Sequence, residues 1–114
     1  MNAVQIHNGH FLVFERGEEV FSVLSAFCEQ NEVHWAQFSG IGAVEDVEIG
    51  YYDLGKRQYV FRAENGPFEV VNLDGNVAEF EESPLIHAHG VLSRCDESLE
   101  CIGGHLRKAV VAVT

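Results

Sequence analysis

Basic residues are scarce in this chain of 114 residues, and their scarcity counts against one class of function. Seven Lys and Arg residues stand against 18 Asp and Glu, giving a formal net charge of −11. Proteins hold a nucleic-acid backbone largely through clustered Lys and Arg side chains. The basic residues here are scattered, apart from the pairs Lys56-Arg57 and Arg107-Lys108. The composition therefore disfavours nucleic-acid binding.

The chain also lacks long apolar runs and a complete set of paired cysteines. No run approaches the roughly 20 apolar residues of a membrane-spanning helix. The first residues, M-N-A-V-Q-I-H, do not combine a basic start with an apolar segment, as a secretory signal does. Three cysteines are an odd number, which argues against a disulfide framework. We expect a cytoplasmic protein with free thiols, although Cys95 and Cys101 could pair in an oxidising compartment.

The residues that are present describe one compact domain over positions 1–114. Hydrophobic residues make up 46% of the chain, which also has 11 glycines, and this mixture is typical of a turn-rich globular protein. One segment, Glu18 to Gln30, has the apolar spacing of an amphipathic helix. The predicted strands are His10–Glu15, His34–Phe38, Ala43–Asp53, Gln58–Ala63, Phe68–Leu73, Val77–Phe80, Leu85–Leu92 and His105–Val113.

Short turns separate most of these strands, which favours antiparallel neighbours. Asn65-Gly66 is a strong hairpin signal, although Pro67 follows it directly, and Asp74-Gly75-Asn76 predicts a bend. The expected fold class is α+β, a mostly antiparallel curled sheet of about seven strands packed on one main helix. The other face of that sheet is a candidate interface between copies of the chain.

The segment from Ser83 to His105 contains three of the six histidines. Residues two apart in a strand point to the same face, so His87 and His89 share a face of the predicted strand. If Asp96, Glu97 and Ser98 form the turn, His105 lies opposite His89 on the neighbouring strand. The three imidazole rings then form one cluster.

Two alternatives to this register remain open at the level of sequence. A five-residue loop would place His105 opposite Val91, too far from His87. A bulge at Gly103-Gly104 would turn the ring of His105 elsewhere. Where the three imidazoles do converge, they suit zinc, copper, iron or nickel, and an open fourth position is typical of catalytic zinc sites.

One acidic residue stands out from its apolar surroundings. Glu69 lies on the predicted face of Val71 and Leu73, so it occupies either a sheet edge or a functional position. As a functional residue it would be the acid or base of a hydrolase or lyase whose substrate the sequence does not specify.

Six segments together resemble one known family. They are F-S-G-I-G-A-V (38–44), G-Y-Y-D (50–53), Tyr59, F-E-V-V-N-L-D-G-N-V (68–77), P-L-I-H-A-H (84–89) and G-G-H-L (103–106). In this order they resemble the plants-and-prokaryotes conserved domain, PPC, from about Phe11 to Thr114.

The resemblance implies properties that composition and spacing do not. It implies a mostly antiparallel sheet, a homotrimer, and a divalent metal site, usually zinc, at His87, His89 and His105. In land plants the domain is fused to AT-hook segments, and the family is often labelled DNA-binding. This chain has no R-G-R-P core and no basic tail, so it resembles the stand-alone prokaryotic type.

The two competing functions are therefore a metal-binding trimer and a DNA-associated regulatory module. A cupin-like metal enzyme is a third interpretation, because cupins also use H-x-H with a later histidine. Cupins place a glutamate three or four residues after the second histidine, where this chain has Leu92 and Ser93.

Overall fold

A computed structural model describes all residues from Met1 to Thr114. The elements, in chain order, are β1 (Asn2–Ile6), β2 (Gly9–Val13), α1 (Val20–Gln30), β3 (Ala36–Asp53), β4 (Gln58–Phe80), β5 (Ser83–Arg94) and β6 (Cys101–Val113). The predicted mostly antiparallel sheet with one helix is confirmed, with six strands. No helix has the length and apolar character needed to cross a membrane.

Four long strands close on themselves in a ring. All four pairs are antiparallel: β3 with β4, β4 with β5, β5 with β6, and β6 back with β3. Strands of this length must curve to close, and shifts in pairing register mark such curvature. The shifts fall between Gly40 and Gly42, between Val44 and Asp46, and between Val70 and Asn72. Closure separates an apolar interior from an outward, solvent-facing surface.

The helix closes the apolar interior. Its buried side chains are Val20, Phe21, Leu24, Phe27 and Cys28, and the first two belong to the same core cluster as the fully buried Val47, Phe68 and Leu92. The helix begins two residues later than predicted because Glu19 is its N-cap. The Glu19 carboxylate accepts hydrogen bonds from the backbone N–H groups of Phe21 and Ser22, and from that of Ala109 on β6.

Two short turns join the long strands. Leu54 to Arg57 connects β3 to β4, and there the Asp53 carboxylate accepts the Lys56 backbone N–H at 3.0 Å. Glu81 and Glu82 connect β4 to β5 with φ angles of 51° and 66°. Positive φ at both central residues is the conformation of the type I′ turn that suits the twist of antiparallel strands.

The predicted hairpin at Asn65-Gly66 is wrong. The chain continues as β4, with Asn65 opposite Asp46 and Phe68 opposite Val44. The side chain of Phe68 is fully buried, and β4 keeps its pairing with β3 on both sides of the register shift at this point. Long-range pairing on both sides of β4 thus overrides the local turn preference.

The bend predicted at Asp74-Gly75-Asn76 is also wrong, because these residues lie within β4. Gly75 is required there for close approach. A Cβ at this position would lie 2.6 Å from the carbonyl oxygen of His87 and would overlap the ring of Phe38. A glycine inside a strand often marks such a contact instead of a turn.

The N-terminal part differs from the prediction in a third way. The strand expected at His10–Glu15 is β2, and it pairs with β1, which the sequence analysis did not identify. Together they form a separate two-stranded sheet outside the closed ring.

Truncation of a core side chain should test this packing. Leu92 is fully buried at the centre of the ring, so Leu92→Ala should lower the free energy of unfolding by about 2–5 kcal/mol. Leu54 is 84% exposed in the β3–β4 turn, and Leu54→Ala should change stability by less than about 0.5 kcal/mol. Chemical denaturation followed by circular dichroism measures both, and equal losses would contradict the described core.

Candidate metal centre

The pairing of β5 with β6 brings the histidines together. His89 lies directly opposite His105, and Ser93 lies opposite Cys101. The register predicted from the sequence is therefore confirmed, and the alternative with His105 opposite Val91 is excluded. The connection itself is longer than predicted: β5 ends at Arg94 and β6 begins at Cys101.

Local hydrogen bonds hold this connection in the predicted register. The Arg94 backbone N–H donates to the Glu100 carbonyl at 2.8 Å, which continues the strand pairing beyond the assigned ends. Within the loop, the Asp96 carboxylate accepts the Ser98 backbone N–H at 2.9 Å. This bond contributes to the lowered pKa of Asp96, for which the hydrogen bond from the Ser98 hydroxyl is the largest cause.

The three imidazole rings form a compact cluster on the outward face of the sheet. The Nε2 atoms of His87 and His89 lie 3.1 Å apart, and one ligand atom from each of the three rings lies within 4.8 Å of the others. Nitrogens bound at about 2.0–2.1 Å to a tetrahedral zinc ion are separated by about 3.4 Å. The donors thus need only small adjustments to share one ion.

The surroundings of His105 favour its neutral form. Partial burial lowers its pKa below the usual 6.5, and the nearby His87, His89 and Arg107 lower it further. Its Nδ1 atom is buried and has no hydrogen-bond partner. Buried polar atoms normally have a partner, and a neutral imidazole nitrogen is a metal donor. The orphaned atom and the all-nitrogen donor set both fit a bound transition metal.

An aromatic wall supports His105 from the side. The ring centroid of Tyr59 lies 4.5 Å from that of His105, and the centroid of Phe61 lies 5.5 Å away. Gly50 on β3 pairs with both Phe61 and His105. A Cβ at this position would overlap the backbone carbonyl of Val60, so the glycine allows β3 and β4 to approach closely beside the cluster. The guanidinium of Arg107 lies over the Phe61 ring, 3.9 Å from its centroid.

A shallow pocket of about 730 Å³ contains the cluster. Three tyrosines and two polar residues lie around the histidines, with four glycines in the pocket wall. The tyrosines are Tyr51, Tyr52 and Tyr59, and the polar residues are Asn72 and Asp74. Asp74 lies directly opposite His89. Asp74 was not among the predicted site residues because it was assigned to a bend, whereas strand alternation through β4 would have aligned it with His89.

Glu69 is not brought to this pocket. It is exposed and lies opposite Ser93, four residues along β5 from His89, a separation of about 13 Å along the strand. The register shift between Val70 and Asn72 also breaks the simple alternation that placed Glu69 with Val71 and Leu73.

The cysteines take no part in the cluster. All three are free, with Cys28 on the buried face of α1 and Cys95 and Cys101 exposed. Burial raises the pKa of the Cys28 thiol, so this group is an inert core residue.

Several solved structures resemble this chain, and three of them are described here. A protein of Archaeoglobus fulgidus described as metal-containing is 37% identical, with a TM-score of 0.79 over 86% of this chain and 68% of that chain. A plant- and prokaryote-conserved (PPC) protein of Pyrococcus horikoshii is 32% identical, with a TM-score of 0.82 over 88% and 68%.

A protein of Ralstonia eutropha JMP134 is 29% identical, with a TM-score of 0.87 over 96% of this chain and 74% of that chain. Its name describes it as a DNA-binding protein by provisional assignment. The comparison with curated proteins found no match. A family model described as the Plants and Prokaryotes Conserved (PCC) domain, abbreviated PPC above, matches residues 1–114. The chain therefore belongs to the Plants and Prokaryotes Conserved domain family.

Proposed function

We propose that this protein is a small homotrimeric PPC-domain protein that binds a divalent metal ion, zinc, through His87, His89 and His105. The observation that carries the proposal is the convergence of three imidazole donors within 4.8 Å of one another. The similarity to the metal-containing protein of Archaeoglobus fulgidus supports it. The trimer and the choice of zinc rest on the resemblance to the family.

A zinc ion held by His87, His89 and His105 would supply a Lewis acid able to polarise a carbonyl or phosphoryl oxygen. The protein's own residues would orient a substrate beside it. Asp74, opposite His89 and on the pocket wall, is the carboxylate in position to exchange a proton with such a substrate. Glu69, the acid suggested by sequence alone, lies opposite Ser93 and outside this pocket. A hydrolase or lyase is the reaction class that these groups suit.

A cytoplasmic location belongs to the same proposal. Three free cysteines, two of them exposed, are compatible with a compartment that keeps thiols reduced.

DNA binding is the second candidate function, because two similar proteins are named, by provisional assignment, as DNA-binding proteins. The charge distribution opposes it. Four of the seven basic residues are already in ion pairs with carboxylates, namely Arg62, Arg94, Arg107 and Lys108. The adjacent Arg107 and Lys108 pair with Glu48 and Asp46 at 2.7 and 3.0 Å. Phosphate binding requires concentrated positive charge, and this surface does not provide it.

Metal analysis tests the main proposal. Protein produced without a histidine tag and incubated with zinc should retain about one ion per chain after desalting, measured by inductively coupled plasma mass spectrometry. His87→Ala/His89→Ala should abolish retention because a single imidazole is a weak ligand. His34→Ala provides a matched control, since His34 is an exposed histidine that pairs with Glu79 outside the cluster. Retention by the double variant would refute the proposed site.

The pH dependence of the metal-free protein provides another test. The pKa of His105 in the folded chain lies below its unfolded value of 6.5, so the folded chain binds fewer protons between those two values. This contribution to stability is therefore complete above pH 6.5 and is lost as the pH falls through that window. Nuclear magnetic resonance titration should give a His105 midpoint below 6.5, and zinc binding should weaken at acidic pH as protons compete for the rings. A midpoint above 6.5 would contradict the burial of this ring.

A gel-shift assay tests whether the protein binds DNA, the second candidate function. Duplex DNA at about 50 mM salt, where electrostatic binding is strong, should show no retardation by micromolar protein. Retardation that weakens steeply between 50 and 200 mM salt would instead favour the DNA-associated function. Zinc-loaded and metal-free protein should both be tested, because the positive charge of a bound ion could itself attract DNA.

A further inference from the structure

A row of polar side chains on β4 borders the histidine cluster on one side. Asn72 lies opposite Val91 on β5, and Asp74 lies opposite His89. Residues opposite each other, and residues two apart in a strand, share one face of a sheet, so Asn72 and Asp74 lie on the same outward face as the imidazoles. None of the salt bridges of the chain includes Asp74. Its exposed carboxylate is therefore open to a hydrogen-bond donor in the pocket.

An aromatic corner borders the cluster on the other side. Tyr52 on β3 lies opposite Tyr59 on β4, and their rings meet edge to face, with centroids 5.1 Å apart and an angle of 85° between the planes. Both residues are close to half exposed, at 44% and 46%. The ring of Tyr59 also lies 4.5 Å from that of His105. Aromatic rings with an open face stack on other flat rings, so this corner offers a stacking surface beside the imidazoles.

Gly103 forms the floor between the two walls. It lies opposite Val91 and two residues before His105, which places it on the outward face. A Cβ at this position would lie 3.4 Å from the carbonyl oxygen of Gly90 and 3.5 Å from Cγ2 of Val91, and these are ordinary contact distances. The packing therefore does not require a glycine here, and the missing side chain leaves the space above the floor open.

The pocket contains one charged residue apart from the histidines. Asp74 is the only Asp, Glu, Lys or Arg that lines it. Phosphate and carboxylate ligands are bound by Arg or Lys side chains, so an anionic ligand finds no basic side chain here and is repelled by the Asp74 carboxylate. An organic cation would be attracted by Asp74 but repelled by a divalent ion at the histidines. The charges therefore favour an uncharged ligand, and this step rests on the proposed metal-binding function.

We propose that this pocket takes an uncharged aromatic amide. The flat ring stacks on Tyr52 and Tyr59. The ionised carboxylate of Asp74 only accepts hydrogen bonds, so it requires a donor, which the amide N–H supplies. The carbonyl oxygen beside that N–H is the atom that a metal ion held by the histidines would polarise. A simple ester or ketone would offer the carbonyl group without the donor.

The dimensions of the pocket agree with one such molecule. β5 lies between β4 and β6, so Asp74 and His105 are two strand spacings apart, about 10 Å. The ring of His89 lies between them, 5.6 Å from that of His105. A single substituted aromatic ring spans this width, whereas a long chain molecule would extend beyond both walls.

Titration with benzamide tests the ligand class. In zinc-loaded protein, the backbone amide signals of Tyr52, Asn72, Asp74 and Gly103 should shift in nuclear magnetic resonance spectra, with a Kd in the millimolar range that suits so small a ligand. Cyclohexanecarboxamide keeps the amide but lacks the aromatic ring, and it should bind about fivefold more weakly. Benzylamine, a cation, should also bind more weakly than benzamide. Equal or tighter binding of either compound would overturn the proposal, as would benzamide that leaves these signals unchanged.

Substitutions test the two walls separately. Tyr52→Leu should weaken benzamide binding about fivefold, whereas Tyr52→Phe keeps the ring and should bind like the wild type. Asp74→Ala should weaken benzamide binding about tenfold but leave N,N-dimethylbenzamide unaffected, because that compound has no N–H to donate. Phe80→Leu and Glu69→Ala are matched controls, since both residues are exposed and lie outside the pocket. Equal losses in the wall variants and in the controls would contradict the assignment of the walls, as would equal losses for the two amides in Asp74→Ala.

Filling the floor gives a further test. Gly103→Leu places a side chain in the space between the walls and should abolish benzamide binding. Circular dichroism verifies that the variant is folded. Undiminished binding by the folded variant would place the ligand elsewhere and refute the proposal.

The same titrations on metal-free protein keep the ligand class and the metal site distinguishable. Both walls belong to the chain itself, so benzamide should still bind more tightly than cyclohexanecarboxamide and more tightly than benzoate, an anion. If the wild type retains no zinc, the proposed function fails and these comparisons still decide the ligand class. If zinc is retained and benzamide is not preferred, the ligand class fails and the metal site stands.

Discussion

The hydrogen-bonded register between β5 and β6 determines what this protein can do. With His89 opposite His105, strand alternation brings His87 to the same face and places Ala88 and Leu92 in the core. A slip of one residue would exchange the two faces, burying the imidazoles and exposing the apolar side chains. The burial of Leu92 and Ala88 therefore stabilises the same register that assembles the donor cluster. Core packing and site geometry are two results of one pairing.

Closure of the ring makes this register rigid. β6 pairs with β5 on one side and with β3 on the other, so His105 cannot move without disturbing both neighbours. The Glu19 carboxylate links the start of the helix to the backbone of Ala109 on the same strand. Tyr59 and Phe61 then restrict the ring of His105 itself. A strand held at several points supports a donor geometry more firmly than a loop would.

Sequence reasoning reached the parts of this arrangement that depend on local spacing. The H-x-H pattern and the polar residues after Arg94 predicted the β5–β6 register on the condition of a three-residue turn, and the structure decided between that register and the two alternatives. The helix was predicted from its apolar stripe. Asn65-Gly66 and Gly75 were misread because glycine signals either a turn or close approach, and only distant neighbours decide between them. Asp74 was missed with Gly75. β1 was missed because all five of its residues are exposed, so it has no buried face to mark it, and its order comes from pairing with β2.

The imidazoles lie on the outward face of the ring, with His87 and His89 exposed and the core on the opposite side of the same strand. The scaffold therefore does not need these side chains in order to fold. A lineage could replace them without unfolding the protein, and could exchange or lose whatever these three side chains bind. Relatives that share this architecture can for that reason differ in activity, and shared ancestry alone does not transfer a biochemical role among them.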